Sequence, residues 1–497
     1  MFPTPQPTTA ALSRGQVTPE AQSPRGAPVA GSSWDPEINN ATRRVAFYAA
    51  LGLIFVRYSL LHELLLSITG TNTYILYLFA IPAAVGVVSS GGIRRTFAAR
   101  QAKYWLAFVA WLLLAVLFST WKGDSINYAS IYLRTDLPML FYTAGLALTW
   151  KECRLMLVTI GMAGIFNIAV AFLINRSYGG GRVGLDFGVV SNPNDYAGHL
   201  LMILPLLLFL VIFPPAFMPL RWLVRLVGIA AVVAGLYSIL MTASRGALIA
   251  LIVGSAYVLW KSSMKVRFAA IFGLPLLGLV LFTAVSDEVR HRLASMTLGS
   301  ASDTNDNGTP GEAEESGRLR RLLLDQSIAV TFDRPVFGVG PGQFGNYSGE
   351  GKALWRGTHN SFTEISSECG IPALLFYLGA VISSFLLLQR TWKQVRGWPQ
   401  LKEISVACYC LSLAYLMFCV AIFFLNFAYF FYLPAATGLA ISISRGAQRE
   451  LAALNASKQA SPGAAPRPIQ MASLRVTPAA PALPPRPRAA IRFNRYR

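Results

Sequence analysis

His359 is one of four histidines in 497 residues. It sits in Arg356-Gly357-Thr358-His359-Asn360-Ser361-Phe362, near the end of a polar segment in a chain that is otherwise strongly apolar. Imidazole is the side chain whose unperturbed pKa lies closest to neutrality, so a histidine in such a segment is a first choice for proton transfer. Glu364 and Glu368 follow at a spacing that places both carboxylates on one face of a helix. A second polar patch, Thr242-Ala243-Ser244-Arg245-Gly246, stands between two apolar runs. A charge at a membrane edge faces protein or a water-filled cavity, or snorkels as an anchor, and Arg245 reads best as an anion-binding group. A third patch runs from Gly179 through Arg182 to Asn192-Pro193-Asn194-Asp195, where glycines and Asn-Pro predict an irregular turn.

These residues need a scaffold, and composition sets its class. Hydrophobic residues make up 54% of the chain, charged residues 13%, and mean hydropathy is +0.48. Soluble domains carry about 25% charged residues. The apolar residues fall into about twelve runs near the ~20 residues that span a bilayer. Such a pattern predicts an all-α polytopic membrane protein with one large extramembrane loop. The expected organisation is a disordered tail over 1–42, nine spans within 43–286, the loop over 287–370, three more spans within 371–444, and a basic disordered tail over 445–497. The run over 126–148 is the weakest span, because it holds Arg134, Asp136 and Pro138. Those two charges are read as a pair or as contributors to the site. The division of the last two spans rests on a tight turn near Asn426.

Charge predicts orientation. Cytoplasmic loops are enriched in Lys and Arg, and the basic residues alternate: Arg94, Arg95, Arg100 and Lys103, then Lys151 and Arg154, then Arg221 and Arg225, then Lys261, Lys265 and Arg267, then Arg390 to Lys402. This places both termini in the cytoplasm and the 287–370 loop outside. The first 42 residues lack the apolar core of a cleaved signal peptide. Net charge is +20. From Arg445 onward ten basic residues face one acid, Glu450, which suits anionic membrane lipid and not nucleic acid. The five cysteines lie in or beside spans with no metal-ligand spacing.

Three patches together resemble the O-antigen ligase / O-antigen polymerase (Wzy-C) superfamily: Ser244-Arg245-Gly246-Ala247 after an apolar span; Gly338-Val-Gly340-Pro-Gly342-Gln-Phe344; and His359-Asn360-Ser361-Phe362 followed by Glu368-Cys369-Gly370-Ile371-Pro372. The segment from Arg182 to Asn194 is also similar to that superfamily's loop before the sixth span. The resemblance covers roughly residues 40–445. It implies a GT-C-like glycosyltransferase of the bacterial inner membrane, taking a glycan from undecaprenyl diphosphate on the periplasmic face. In that frame Arg182 and Arg245 hold the diphosphate with forked donors. His359 takes the proton of the acceptor hydroxyl, and Asn360, Glu364 and Glu368 support it. The acceptor is lipid A-core for a ligase or another lipid-linked repeat for a polymerase, and no metal or cofactor is expected.

Competing motifs are weaker. Gly340 to Gly345 formally fits a dinucleotide-binding turn without the strand it requires. Residues 303–314 fit a calcium-loop pattern with Pro310 poorly placed. A transporter or flippase remains the reading from another class, but it predicts paired halves and broken helices at mid-membrane. The chain shows no internal repeat.

Overall fold

The computed structural model describes residues 36–174, 176–178, 182–185, 187–215, 220–287, 289–290, 312–349 and 356–460. The compact body ends at Ala453, and residues from Leu454 form a second unit, described only as helix to Ala460. The chain is an all-α polytopic membrane protein. Among the described residues, seven helices are long and apolar enough to cross a bilayer, or eight if a bent pair is one span. That pair, α1 (Ala41–Ser59) and α2 (Leu61–Thr69), bends by 63° at Leu60, whose φ of 57° lies in the left-handed region.

Next come α3 (Ile75–Ser89), α4 (Gly92–Phe97) and α5 (Arg100–Leu117). The weak run over 126–148 is not one helix. It divides into α6 (Lys122–Ile131), a π-helical turn over Tyr132–Asp136, and α7 (Pro138–Leu146). Proline has no N–H to continue the ladder and suits the first turn of a helix, so the chain restarts at Pro138. Asp136 pairs with Arg57 of α1 and not with Arg134. Neighbours two apart on a helix do not face each other, whereas the π turn directs Asp136 toward α1.

After α8 (Trp150–Leu173), a short hairpin pairs β1 (Arg176–Tyr178) with β2 (Arg182–Gly184), placing Tyr178 opposite Arg182. Asn192-Pro193 is not an irregular turn. Asn192 caps α9 (Pro193–Ile212), accepting from the Asn194 N–H at 2.9 Å, and Pro193 occupies the first helical position. Helices α10 (Arg221–Met241), α11 (Arg245–Lys261) and α12 (Met264–Thr283) follow. On α12 only Leu281 is buried. Such an apolar, uncovered helix suits lipid and would be a liability in water.

The segment read as a loop over 287–370 holds α13 (Glu312–Asp333) and the short α14 (Phe344–Gly349). Much of the calcium-loop pattern at 303–314 lies outside the described residues. Among the described residues no group of three or more His, Cys, Asp or Glu could hold a metal ion. α15 (Ser361–Val395) breaks at Gly370, whose φ of 85° and ψ of 171° are not helical. α16 (Lys402–Ala421) and α17 (Tyr432–Ala460) are separated by an irregular segment, longer than the tight turn expected near Asn426. α17 also runs past residue 445, where a disordered tail was expected. Residues 445–460 are rich in Ala, Leu, Arg and Gln, which favour helix.

The glycine repeat from Gly338 to Gly342 is scaffold. All three glycines have positive φ, at 64°, 111° and 73°. The turn lies against the end of the first half of α15. Val339 N–H donates to the Ser367 carbonyl at 2.9 Å and Gly340 N–H to the Glu368 carbonyl at 2.8 Å. A Cβ on Gly340 would stand 2.0 Å from Ser119 Oγ, and one on Gly342 2.8 Å from the Tyr128 ring. Only glycine meets both the backbone conformation and the close approach.

Candidate active site

Two groups of residues make up the candidate site. The first begins with Arg182 on β2. Its Nε–H donates to the Thr242 carbonyl at 2.8 Å, and an Nη2–H donates to Asn194 Oδ1 at 3.2 Å. Thr242 lies in the turn between α10 and α11, with Ala243 in the left-handed region at φ 46°. Arg245 opens α11 three residues later, with an exposed side chain. The hairpin arginine is therefore fastened to the turn that presents the helix arginine. Among the described residues no hydrogen bond or ion pair engages the Arg245 guanidinium. The first backbone N–H groups of a helix also lack intrahelical partners, which favours anions at this end.

The second group is built around His359. Its φ of 51° is left-handed, an uncommon conformation for a side chain with a Cβ. Neighbouring bonds fix it. Thr358 Oγ1 lies within hydrogen-bond reach of Asn426 Oδ1 at 3.1 Å and of the Asn360 carbonyl at 2.9 Å, with one hydroxyl proton between them. A Cβ on Gly357 would lie 2.2 Å from Asn426 Nδ2, so the backbone presses close there. Asn360 caps α15, accepting from the N–H groups of Phe362 at 2.9 Å and Thr363 at 3.2 Å. Ser361 Oγ donates to the Leu425 carbonyl at 2.7 Å and accepts from Phe427 N–H at 2.8 Å. The irregular segment between α16 and α17 thus clamps the histidine loop from below.

Burial first, and the positive charges of Arg320 and Arg356 with it, lower the pKa of His359 to about 4. The imidazole is neutral at physiological pH. Arg320, half-buried on α13, acts electrostatically on both His359 and Asp195. Asp195 follows Asn194, the residue that holds Arg182. Arg320 is thus a charge felt both by the histidine and by the residue next to Asn194.

The two acids bond to the scaffold around the histidine loop. Glu364 and Glu368 are buried on the same face of α15. Glu368 accepts from Gly342 N–H at 2.8 Å and Phe344 N–H at 3.3 Å, and Glu364 accepts from Ala428 N–H at 3.4 Å. They brace the glycine turn and the segment below the histidine. Arg320 and Asn426 carry no signal in the sequence, since an arginine in a charged helix and an asparagine in a turn are both ordinary.

Residues 230–378 match the family model described as O-antigen ligase. The match supports the O-antigen ligase superfamily. It includes Arg245, Arg320, the glycine turn, His359 and the two glutamates, and leaves Arg182 outside. No curated protein matches the chain. The family is one of ligase- or polymerase-type glycan transfer in bacterial membranes, so lipid-linked glycan and glycan acceptor are its general partners.

Proposed function

We propose that this chain is an inner-membrane glycan ligase that moves a polysaccharide from undecaprenyl diphosphate to a hydroxyl of lipid A-core at the periplasmic face. The observation that carries the reading is the bond from Arg182 to the Thr242 carbonyl, which ties two forked cations to one helix start. As the acceptor oxygen attacks the anomeric carbon, the bond from that carbon to the diphosphate breaks and its electron pair goes to phosphate oxygen. Arg182 and Arg245 meet that growing charge with fixed donors. The acceptor proton passes to the neutral imidazole of His359. Arg320 then helps to keep the imidazole unprotonated before the donor arrives.

The Lys and Arg distribution supports cytoplasmic termini and a periplasmic site. Alkaline phosphatase fused near Asn305 is expected to be active and fused after Arg449 inactive; the reverse pattern would place the site on the wrong face. A deletion strain tests the acceptor. A ligase leaves lipid A-core without any polymer. Capping of lipid A-core by a single repeat would instead assign the same chemistry to chain polymerisation.

A further inference from the structure

The depth of the chain after α13 can be measured against the span α5. That helix has 18 residues, about 27 Å at 1.5 Å per residue, just enough for a ~30 Å hydrocarbon core. Arg100 and Lys103 stand at one end, and Ser119 and Thr120 follow the other, so Leu117 lies at the membrane edge. Val339 is level with that edge: its carbonyl accepts from the Thr120 N–H at 2.9 Å. Three residues earlier, the Val336 carbonyl accepts from the Trp111 indole N–H at 3.0 Å. Trp111 is six residues short of Leu117, so its backbone lies about 9 Å inside the edge. The Phe337 ring lies flat along the same stretch. Its centroid is 4.1 Å from the Phe118 ring and 5.4 Å from the Trp111 ring.

A second span flanks this turn. Ile371 N–H, at the start of the second half of α15, donates to the Pro335 carbonyl at 2.8 Å. A Cβ on Gly370 would stand 2.1 Å from the Val336 carbonyl oxygen. The turn is thus wedged between α5 and the second half of α15. Both spans expose leucines at this level: Leu113, Leu114 and Leu117 on α5, and Leu375 on α15. Among the described residues Phe332, in the last turn of α13, is 72% exposed, and Ile328, one turn earlier on the same side, and Val336 are exposed as well. Apolar side chains at the depth of lipid-facing leucines are covered by the same lipid. Two charges limit the depth. Asp333 and Arg334 are exposed and must reach headgroups or water, so the wedge enters the bilayer and does not cross it.

We infer that the end of α13 and the turn after it, residues 328–337, form a membrane-seated wedge, with Phe332 and Val336 among lipid acyl chains. A depth of about 9 Å agrees with the ~5–10 Å to which interfacial elements bury their apolar face. The partner is the bilayer and not a protein, because the surface continues that of two spans. One stretch of the segment read as wholly extramembrane therefore lies in lipid. The wedge also has a bearing on the candidate site. α13 carries Arg320, twelve residues before Phe332, and bonds to α15 through Thr331 and Ser366. Lipid thus holds one end of the helix whose arginine charge reaches His359. The inference needs the membrane and not the glycan-transfer reading.

The test places the full chain in nanodiscs of phosphatidylethanolamine and phosphatidylglycerol, with a nitroxide on one added cysteine. Phe332→Cys and Val336→Cys report the wedge, Leu375→Cys is the lipid standard and Arg321→Cys, higher on α13, the water standard. The unsubstituted protein, labelled in parallel, gives the background from its own five thiols, four of them buried. Collisions with oxygen, which concentrates in lipid, are compared with collisions with a polar nickel chelate. Oxygen is expected to exceed nickel at 332 and 336, as at 375, and nickel to exceed oxygen at 321. Excess nickel at 332 and 336 would put the turn in water and overturn the inference. Protection from both reagents would overturn it too, since a protein segment would then be the cover. A second measurement uses the unsubstituted protein and a phospholipid with a photoactivated diazirine in its acyl chain. Adducts are expected on the peptide over 328–337 as well as on α12, whose surface is almost wholly uncovered. Adducts on α12 alone would contradict the wedge.

Discussion

His359→Ala lowers glycan transfer by about 10²–10⁴-fold, the usual contribution of a positioned general base. The protein itself should insert and fold normally. The loop is held by Thr358, Asn360 and Ser361, whose bonds to Asn426, the start of α15 and the segment after α16 do not use the imidazole. The pH profile separates the chemical role from a packing role. Burial and two arginine charges hold the free enzyme's imidazole near a pKa of about 4. A base with a lowered pKa is active above that value and is lost as pH falls through it. The acidic limb of kcat/KM is therefore expected near pH 4, well below that of an ordinary histidine. Bound diphosphate offsets the arginine charges, so the limb of kcat lies at higher pH. Arg320→Gln removes one of those charges and should move the kcat/KM limb upward. A His359→Ala enzyme with wild-type rate and an unchanged limb would move the base elsewhere.

Arg245→Lys is expected to cost roughly 10- to 100-fold in kcat/KM, the size of one or two lost hydrogen bonds to a charged group. Lysine keeps the charge but loses the planar fork that grips two phosphate oxygens. The position also matters. Arg245 stands at the first residue of α11, where a cation gains nothing from the helix dipole. Its placement there makes sense when an anion sits between the guanidinium and the helix start. Arg182→Lys should be harmful for a further reason: a lysine cannot bond Thr242 and Asn194 together as the guanidinium does. Near-normal activity of Arg245→Lys, measured with saturating acceptor, would reduce that arginine to a membrane-edge anchor.

How much of this was open to reading in sequence depends on the range of each interaction. The spans are legible because a bilayer demands about 20 apolar residues at a time. Arg182, Arg245 and His359 stand out in the sequence as candidates because polar residues are rare and expensive in such a chain. The π turn is not, because Asp136 is drawn out of a regular helix by Arg57, 79 residues away. No local pattern reports that partner. A cavity beside Arg57 is hidden for the same reason, since its walls come from α1, α2, α3, α6, the π turn, the segment before α9 and the segment before α17. The glutamates show the opposite hazard. Their spacing correctly places them on one face of a helix. Spacing alone does not say that backbone N–H groups of the glycine turn and of Ala428 already occupy them. Helix α13 is a similar case: its charged sequence reads as loop, yet Thr331 meets Ser366 of α15 at 2.8 Å and Arg320 reaches the electrostatic field of His359.

In the proposed reaction this chain breaks the sugar–diphosphate bond of a lipid-linked glycan and hands the sugar to a hydroxyl. The most direct measurement incubates the purified protein with an undecaprenyl-diphosphate-linked oligosaccharide and lipid A-core, and quantifies both products. Wild type should release undecaprenyl diphosphate in equal amount to glycosylated lipid A-core, and His359→Ala should form both at least about 10²-fold more slowly. Release of neither product by wild type from an acceptable donor and acceptor, or equal rates for the two proteins, would contradict the account.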